Sequence, residues 1–554
     1  MNRLSRVLTA ALVCLAAATP VRGYPPAGGA SVDPSAEGRI HTPEGFRHEG
    51  KPQVYASDDA ARLRVRVVDH ATQRPTFCRV NVVGADGNYY EPRENPLANW
   101  SLFRAGNRLT KGPFRYYGWF FYSTGEFEVT VPPGATRLEL WKGFEFEPVT
   151  ETVQALPQRS TDVKMELTRV APLAGEGYHS GDTHIHLPRV TADDDQRALD
   201  LIAAEDLEYG YILSANDGGS YVGDWRDQRM APQRVQGRQA IVERGGYTIA
   251  AGQEYVTRSY GHLGTVLQSA TLLAGQTVDP NRWPPLGVMG LEARTLGGYS
   301  INLHGGNGGE VYIDFAQQAT DGVELLQFAE YRGIGLEGWY HMLGAGFRFA
   351  AFGASDYPVC RVLGDCRTYA HTSGEHDPVA WARAAAEGRS FITTGPLLLL
   401  EVDGHRPGDT IDRPANARER LQAKVRVRSP AAAIDYVELI ANGKSVERRR
   451  IAPREAKDWF TLEAAIDAAE PVWIAAKAGS TTRAGLPDSE AHTNPVFVTI
   501  DGGMPCRDAD LRWLRDRVDE QITAVEQRTF DEQAKVLEFF RASRQALDAP
   551  PRGR

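Results

Sequence analysis

Cysteine is scarce in this chain, with five among 554 residues. That excludes the disulfide-dense scaffold of a small secreted domain, and without a C-x-x-C pair there is no thiolate zinc site of the usual spacing. Cationic excess is missing too. Lys and Arg number 62 against 71 Asp and Glu, a net charge of −9, which argues against a nucleic-acid or anionic-membrane binder. Beyond the amino terminus no segment approaches 18 consecutive apolar residues, so no membrane insertion is expected once that terminus is removed.

What is present begins with Met1 to Gly23, where Arg3 and Arg6 precede an apolar run from Val7 to Ala18 and small residues before Tyr24. This reads as an export signal and implies a periplasmic or secreted protein. Cys14 follows Ala-Leu-Val and lacks the small neighbour a lipidated cysteine needs. In an oxidising compartment Cys360 and Cys366, flanking Leu363-Gly364-Asp365, are expected to close a short loop.

Residues 24–60 show no periodicity and read as a linker. Over 61–170 short alternating segments such as Leu63, Val65 and Val67 are broken by Asp86-Gly87 and Pro132-Pro133-Gly134, which predicts a β-sandwich. An aromatic cluster interrupts it (Trp100, Phe114, Tyr116, Tyr117, Trp119, Phe120, Phe121, Tyr122), and packing is the expected role over sugar stacking. From 171 to 396 helical stretches (Gln196–Glu205, Pro378–Glu387) alternate with strands (Tyr209–Ser214, Tyr247–Ala251, Ser300–His304), the pattern of an α/β parallel sheet or barrel. Short strands return over 397–502 around an Asn442-Gly443 turn. Residues 503–554 form a charged helical tail with apolar residues at helical spacing, expected to dock on a neighbour.

Polar residues at the ends of βα strands face a concave, substrate-accessible surface. Several candidates stand there. His184 and His186 are spaced i, i+2, which on a strand puts both imidazoles on one side. Glu254 follows an apolar strand, His262 lies in Tyr260-Gly261-His262, His304 opens a glycine-rich turn, and Asp356 closes Phe352-Gly353-Ala354-Ser355. Four imidazoles and two carboxylates suit Zn, Mn or Fe.

These residues resemble the metal motifs of the PHP (polymerase and histidinol phosphatase) superfamily of metal-dependent hydrolases. Trp339-Tyr340-His341-Met342-Leu343, Arg367-Thr368-Tyr369 and Gly388-Arg389-Ser390-Phe391-Ile392-Thr393-Thr394-Gly395-Pro396, with Asp403-Gly404 and Pro407-Gly408-Asp409, are similar to its CehA/McbA-type branch, over about residues 175–410. The first β domain likewise resembles the carboxypeptidase-regulatory-like sandwich, through Val65-Arg66-Val67-Val68-Asp69, Gly84-Ala85-Asp86-Gly87 and Val131-Pro132-Pro133-Gly134. The resemblance implies an α/β fold, a PHP-like distorted (β/α) barrel between amino- and carboxyl-terminal β-sandwich domains. It implies two divalent transition-metal ions, one held by His184, His186, Glu254 and Asp356, the other by Glu254, His262 and His304. Glu254, Asp356 and Arg367 become the catalytic set. Where the superfamily has Thr-Asp-His-Asn and Ser-Asp-x-His, this chain has Ser214-Ala215-Asn216-Asp217 and Ser355-Asp356-Tyr357-Pro358, so a third metal position is expected to be missing.

Two dications about 3.5 to 4 Å apart can share a hydroxide and polarise a scissile oxygen. The implied activity is hydrolysis of an ester, amide or carbamate bond in a small-molecule or polymer-derived substrate, with phosphoester hydrolysis or an inactive binding scaffold as alternatives. Asp217, His341, Arg361 and Arg367 are candidate substrate contacts, and Asp182 reads as a turn or supporting group. Gly305, Gly306, Gly308 and Gly309 are not followed by Lys-Ser/Thr, which argues against a phosphate loop.

Overall fold

The computed structural model describes residues 55–97, 120–216, 237, 240–327, 330–358, 362–374, 377–452, 454–480 and 489–548, with the strands Ile40–His41 and Arg47–Gln53. The export segment with Cys14, Asp217, Cys360, Arg361, and Trp100 to Trp119 of the aromatic cluster lie outside these residues. The expected Cys360 bridge lies there with them. The fold is mixed α/β, β-rich and built of several parts.

Alternation builds the first part. In Ala61–Asp69 the side chains of Leu63, Val65 and Val67 are buried while Arg62, Arg64 and Arg66 face water, the period-two pattern of a half-buried strand. This strand lies between Ser160–Leu167 and Glu126–Val131 in a three-stranded sheet. Its apolar face shares a core with Val80 and Leu138 of a second sheet. Arg47–Gln53, inside the expected linker, pairs with Asn88–Tyr90 of that second sheet. Its sequence RHEGKPQ has no apolar alternation to signal a strand. Phe120, Phe121 and Tyr122 are buried, so this end of the aromatic cluster is packing.

In the second part β1 (Tyr178–Ile185), β2 (Tyr209–Ala215) and β3 (Tyr247–Val256) are parallel. β4 (His262–Val266) returns antiparallel between β3 and β5 (Tyr299–Asn302). β6 (Gly322–Gln327) and β7 (Ala350–Gly353) then continue parallel to β5. Six strands therefore point one way and bring their carboxyl ends to one edge. β8 (Arg367–His371) is antiparallel to β1, and β9 (Ser390–Thr393) to β8. Among the intervening helices, α1 (Ala192–Ala204) starts in a capping box between Thr191 and Asp194. It is followed by α2 (Leu286–Thr295), α3 (Val311–Asp314), α4 (Gly335–Gly344) and α5 (Pro378–Ala386).

The expected boundary at 396 is not a break in the sheet. β9 pairs with Glu490–Thr493, so the central sheet runs on into the carboxyl-terminal β part. There it faces a three-stranded sheet of Leu397–Val402, Leu421–Arg428 and Phe460–Ile466 across a core that includes Val425, Leu439 and Ile474. The tail is two helices, α6 (Asp508–Glu526) and α7 (Gln533–Ala546), folded on each other. Leu514, Val518, Val536 and Phe540 join the core of Leu286, Val311 and Phe315, so the tail docks on the central part. Among the described residues no helix is long and apolar enough to cross a membrane.

Candidate metal centre

The HxH pair follows from strand alternation. Ile185 is buried in the apolar cluster with Leu199 and Ile202, which turns His184 and His186 to the opposite face. A register shift between Asp182 and Ile185 against β2 marks a bulge at this point, a common device for aiming side chains at a site. Asp182 is fully buried and wires the region together. Its Oδ1 accepts from the amides of His184 (3.0 Å) and Ser355 (3.1 Å), and its Oδ2 accepts from Gly364 N (3.2 Å). Burial pushes its carboxyl up to about 6 against those hydrogen bonds. Asp182 thus ties the HxH strand to the turn that carries Asp356.

Four of the six expected ligands, all imidazoles, meet at the carboxylate of a fifth, Glu254. Glu254 Oε1 lies 2.8 Å from His262 Nδ1 and 3.6 Å from both His184 Nε2 and His304 Nε2, while Oε2 lies 3.0 Å from His186 Nε2. Asp356 Oδ1 stands 3.4 Å from His184 Nε2 and 3.5 Å from His186 Nε2. His262 Nδ1 and His304 Nε2 are 3.0 Å apart. Donors held at about 2.1 Å in a tetrahedron around a shared ion are about 3.4 Å from one another, which the separations of 3.4 to 3.6 Å match, while the shorter ones are hydrogen-bond distances. His184 Nε2 is also a buried polar atom with no hydrogen-bond partner, and a metal would satisfy it. With no thiol in the set, the donors fit Zn, Mn or Fe.

Electrostatics point the same way. Burial disfavours a charged imidazole, yet Asp356, Glu324 and Glu254 raise His184 well above the ordinary histidine range. Burial likewise opposes the Glu254 carboxylate, but His184, His186 and His262 hold it well below the usual carboxylate range. A proton and a dication compete for the same imidazole lone pairs, so acids that favour the proton also favour the metal. Backbone strain marks the site as well. His304 (φ +54°) and Asp356 (φ +55°) are both left-handed, a conformation uncommon outside glycine and held where the surroundings enforce it.

Two residues absent from the sequence-based ligand set complete the support. Glu324 on β6 is buried, its Oε1 3.0 Å from His184 Nδ1 and its Oε2 accepting the His304 N–H at 2.6 Å. Gln327 places Oε1 3.1 Å from His304 Nδ1. Such partners fix the tautomer that leaves Nε2 for a metal. The one sequence signal was a carboxylate inside the apolar stretch Gly-Val-Glu-Leu-Leu-Gln.

Other expected residues have other tasks. Arg367 is not brought to the site. Its fully buried guanidinium donates to the carbonyls of Gly364 (2.7 Å), Glu205 (2.9 Å) and Asp206 (3.3 Å), and it stacks on Phe144 at 4.2 Å. It is a packing cation at the seam with the first β part, beside the buried Arg79–Glu205 ion pair. His341 Nδ1 lies 2.7 Å from Asp510, and its ring stacks on Trp513, so it anchors α6. Asn216 clamps Val256, donating to its carbonyl (2.9 Å) and accepting from its amide (2.6 Å).

No family profile, curated protein or solved structure matches the chain. Several buried His, Glu and Asp groups are nonetheless arranged so that they could hold metal ions: His184 with His186 and Asp356, Glu254 with His262 and His304, and His184 with His304 and Glu324.

Proposed function

We propose that the chain is an exported, PHP-type binuclear metallohydrolase whose central part is a distorted (β/α) barrel, and that it cleaves an ester, amide or carbamate bond. The observation that carries this reading is the convergence of four imidazoles on the two oxygens of Glu254, with Asp356 closing one side. His184, His186, Asp356 and Glu254 would hold one ion, and Glu254, His262 and His304 the other. The pair, when bound, supplies an activated water and a Lewis acid for the scissile oxygen.

The chain's own residues do the rest. Glu254 faces both sides of the cluster, Oε1 towards His262, His304 and His184 and Oε2 towards His186. Glu324 holds His184 and His304 in orientation, so little reorganisation accompanies substrate binding. Asp356, with Oδ1 at the rim of the HxH pair, is the group placed to carry a proton from the attacking water to the leaving group. The side chain of His262 is 25% exposed and that of His184 is fully buried, so substrate approaches over His262. The clamp made by Asn216 supports two ions over three. Retention of six ionisable ligands, most of them buried, speaks against a purely structural scaffold, because such a core tolerates apolar replacements.

The test is elemental analysis of purified protein, expected near two transition-metal ions per chain, followed by assays on aryl ester, amide, carbamate and phosphate panels. A ratio near zero or near three removes the binuclear reading. Turnover confined to phosphate esters would make the protein a phosphoesterase, and a two-metal protein inert on every panel would be a binding scaffold.

A further inference from the structure

The two metal positions share Glu324 as a brace, but beyond it they lean on different parts of the chain. His184, His186 and Asp356 are wired within the central sheet. Asp182 binds the His184 and Ser355 amides, and His186 N donates to Tyr357 O at 2.7 Å. His262 and His304 are also paired to the sheet, at the start of β4 and against β6, but each adjoins a loop that packs outside it. The Tyr260-Gly261 backbone lies directly on the Asn307-Gly308 backbone, so closely that a Cβ on Gly261 (φ +108°) would strike the Asn307 carbonyl oxygen. One loop leads into His262 and the other follows His304, so neither can move without the other.

Both loops rest on the helical hairpin. Tyr260 packs edge-on against Phe540 of α7, ring centroids 6.2 Å apart. The Arg528 guanidinium, in the α6–α7 connection, lies 5.3 Å from the Tyr260 ring and 4.8 Å from Phe530, and it donates to Asn281 O. Asn281 in turn accepts the Arg258 amide at 2.7 Å, and Tyr260 OH donates to Arg282 O at 2.8 Å. On the other loop, Gln521 of α6 fills the space a Cβ on Gly309 would need. Gln317, just past α3, donates to Phe539 O (3.0 Å) and Ser543 Oγ (2.6 Å), which fixes the hairpin to the far end of the same segment.

We infer that the carboxyl-terminal helical hairpin is the positioning element of the second metal position, setting the affinity of the His262–His304 side while leaving the His184–His186–Asp356 side to the central sheet. This rests on the binuclear reading above. It assigns Phe540, Arg528 and Gln521 as positioning residues that act through Tyr260 and the glycine turn and touch no ligand. Loosening the hold of these three side chains on the two loops would convert a two-metal site into a one-metal site.

The test uses the full chain stripped of metal, titrated with Co²⁺ alone and followed by visible absorption and chelator competition. In Phe540→Ala and Arg528→Ala the second ion should bind about 10-fold or more weakly, with the first unchanged. Arg544→Ala, which removes pairs with Asp519 and Asp548 confined to the hairpin, should bind both ions as wild type does. Hydrogen exchange on the metal-free chain gives a readout independent of activity. Residues 258–262 and 305–309 should lose protection in Phe540→Ala while 180–186 keep theirs. If Phe540→Ala does not fold, Gln521→Ala and Arg528→Ala carry the same test with less packing lost. Equal weakening of both ions, or of neither, overturns the inference with the binuclear reading intact. A wild-type chain that takes up fewer than two ions overturns that reading, and the inference with it.

Discussion

Glu324 Oε1 stands 3.0 Å from Nδ1 of His184, and its second oxygen takes the His304 amide. One buried carboxylate therefore braces a ligand from each metal position. Glu324→Ala should weaken both ions together, by about 10- to 100-fold. Glu324→Gln should fall between wild type and Ala, because an amide can accept at one end but sets an NH₂ against the donor at the other. Metal titration by calorimetry, beside nitrogen NMR of the histidine rings, checks this. Loss of one ion only would show that the bracing is not shared.

Glu254 and Asp356 should separate in their failures. Glu254→Gln removes the charge that faces four imidazoles and should abolish binuclear binding. Asp356→Asn should keep more metal yet lose turnover, by about 100-fold or more for a lost proton carrier. Metal content measured beside rate under identical loading decides it. Both metals and a near-normal rate in Glu254→Gln would exclude Glu254 as the bridge.

Arg367→Ala should cost stability, with catalysis in the folded fraction unchanged. Truncation strands the carbonyls of Gly364, Glu205 and Asp206 and removes a cation near buried Glu205, a class of lesion worth about 3 kcal/mol or more. Denaturant melts beside the rate per folded molecule test this. An unchanged melt with a collapsed rate would return Arg367 to the reaction.

A second buried acidic pair sets a pH dependence. Asp314 accepts from Asn302 at 2.7 Å and Glu310 from the Gly287 amide at 3.1 Å. Burial pushes Asp314 up to about 7, and burial together with Asp314 raises Glu310 well above the usual range. Both folded values exceed the unfolded ones, so the folded chain retains protons that the unfolded chain releases near pH 4. The pair's stabilising contribution is complete below that and is lost as pH rises through about 7. Asp314→Asn should flatten this loss and gain on the order of 1 kcal/mol relative to wild type above pH 7. Melts of metal-free protein across pH 5 to 8 would show parallel curves if the pair is silent.

The cluster of His184, His186, Glu254, His262, His304 and Asp356 was legible because its members sit in or within a few residues of strands, most of them where alternation or an apolar run meets a polar residue. Glu324 was not, since a single acid in a short strand reads as a solvent-facing position. Only the parallel pairing of β6 with β5 puts it behind His304. Arg367 was misplaced for the converse reason. Its neighbours come from Phe144, Glu205 and Gly364, and a motif match carries no information about which face of β8 they cover. The tail's division into two helices carries no sequence signal, because Arg528-Thr529-Phe530-Asp531 contains neither Gly nor Pro. The continuity of the sheet past 396 depends on a pairing nearly a hundred residues away.

The positive φ of His304 and Asp356 restricts how this cluster can be tuned towards one metal or another. Left-handed backbone admits Gly, Asn, Asp and His readily, while other side chains pay about 1 kcal/mol or more there. At these two positions the accessible donor alphabet is imidazole, short carboxylate and short amide. Thiolate or long-carboxylate donors would have to enter at 184, 186, 254 or 262, so a selection for softer or harder ions should accumulate its changes on that half of the ligand set.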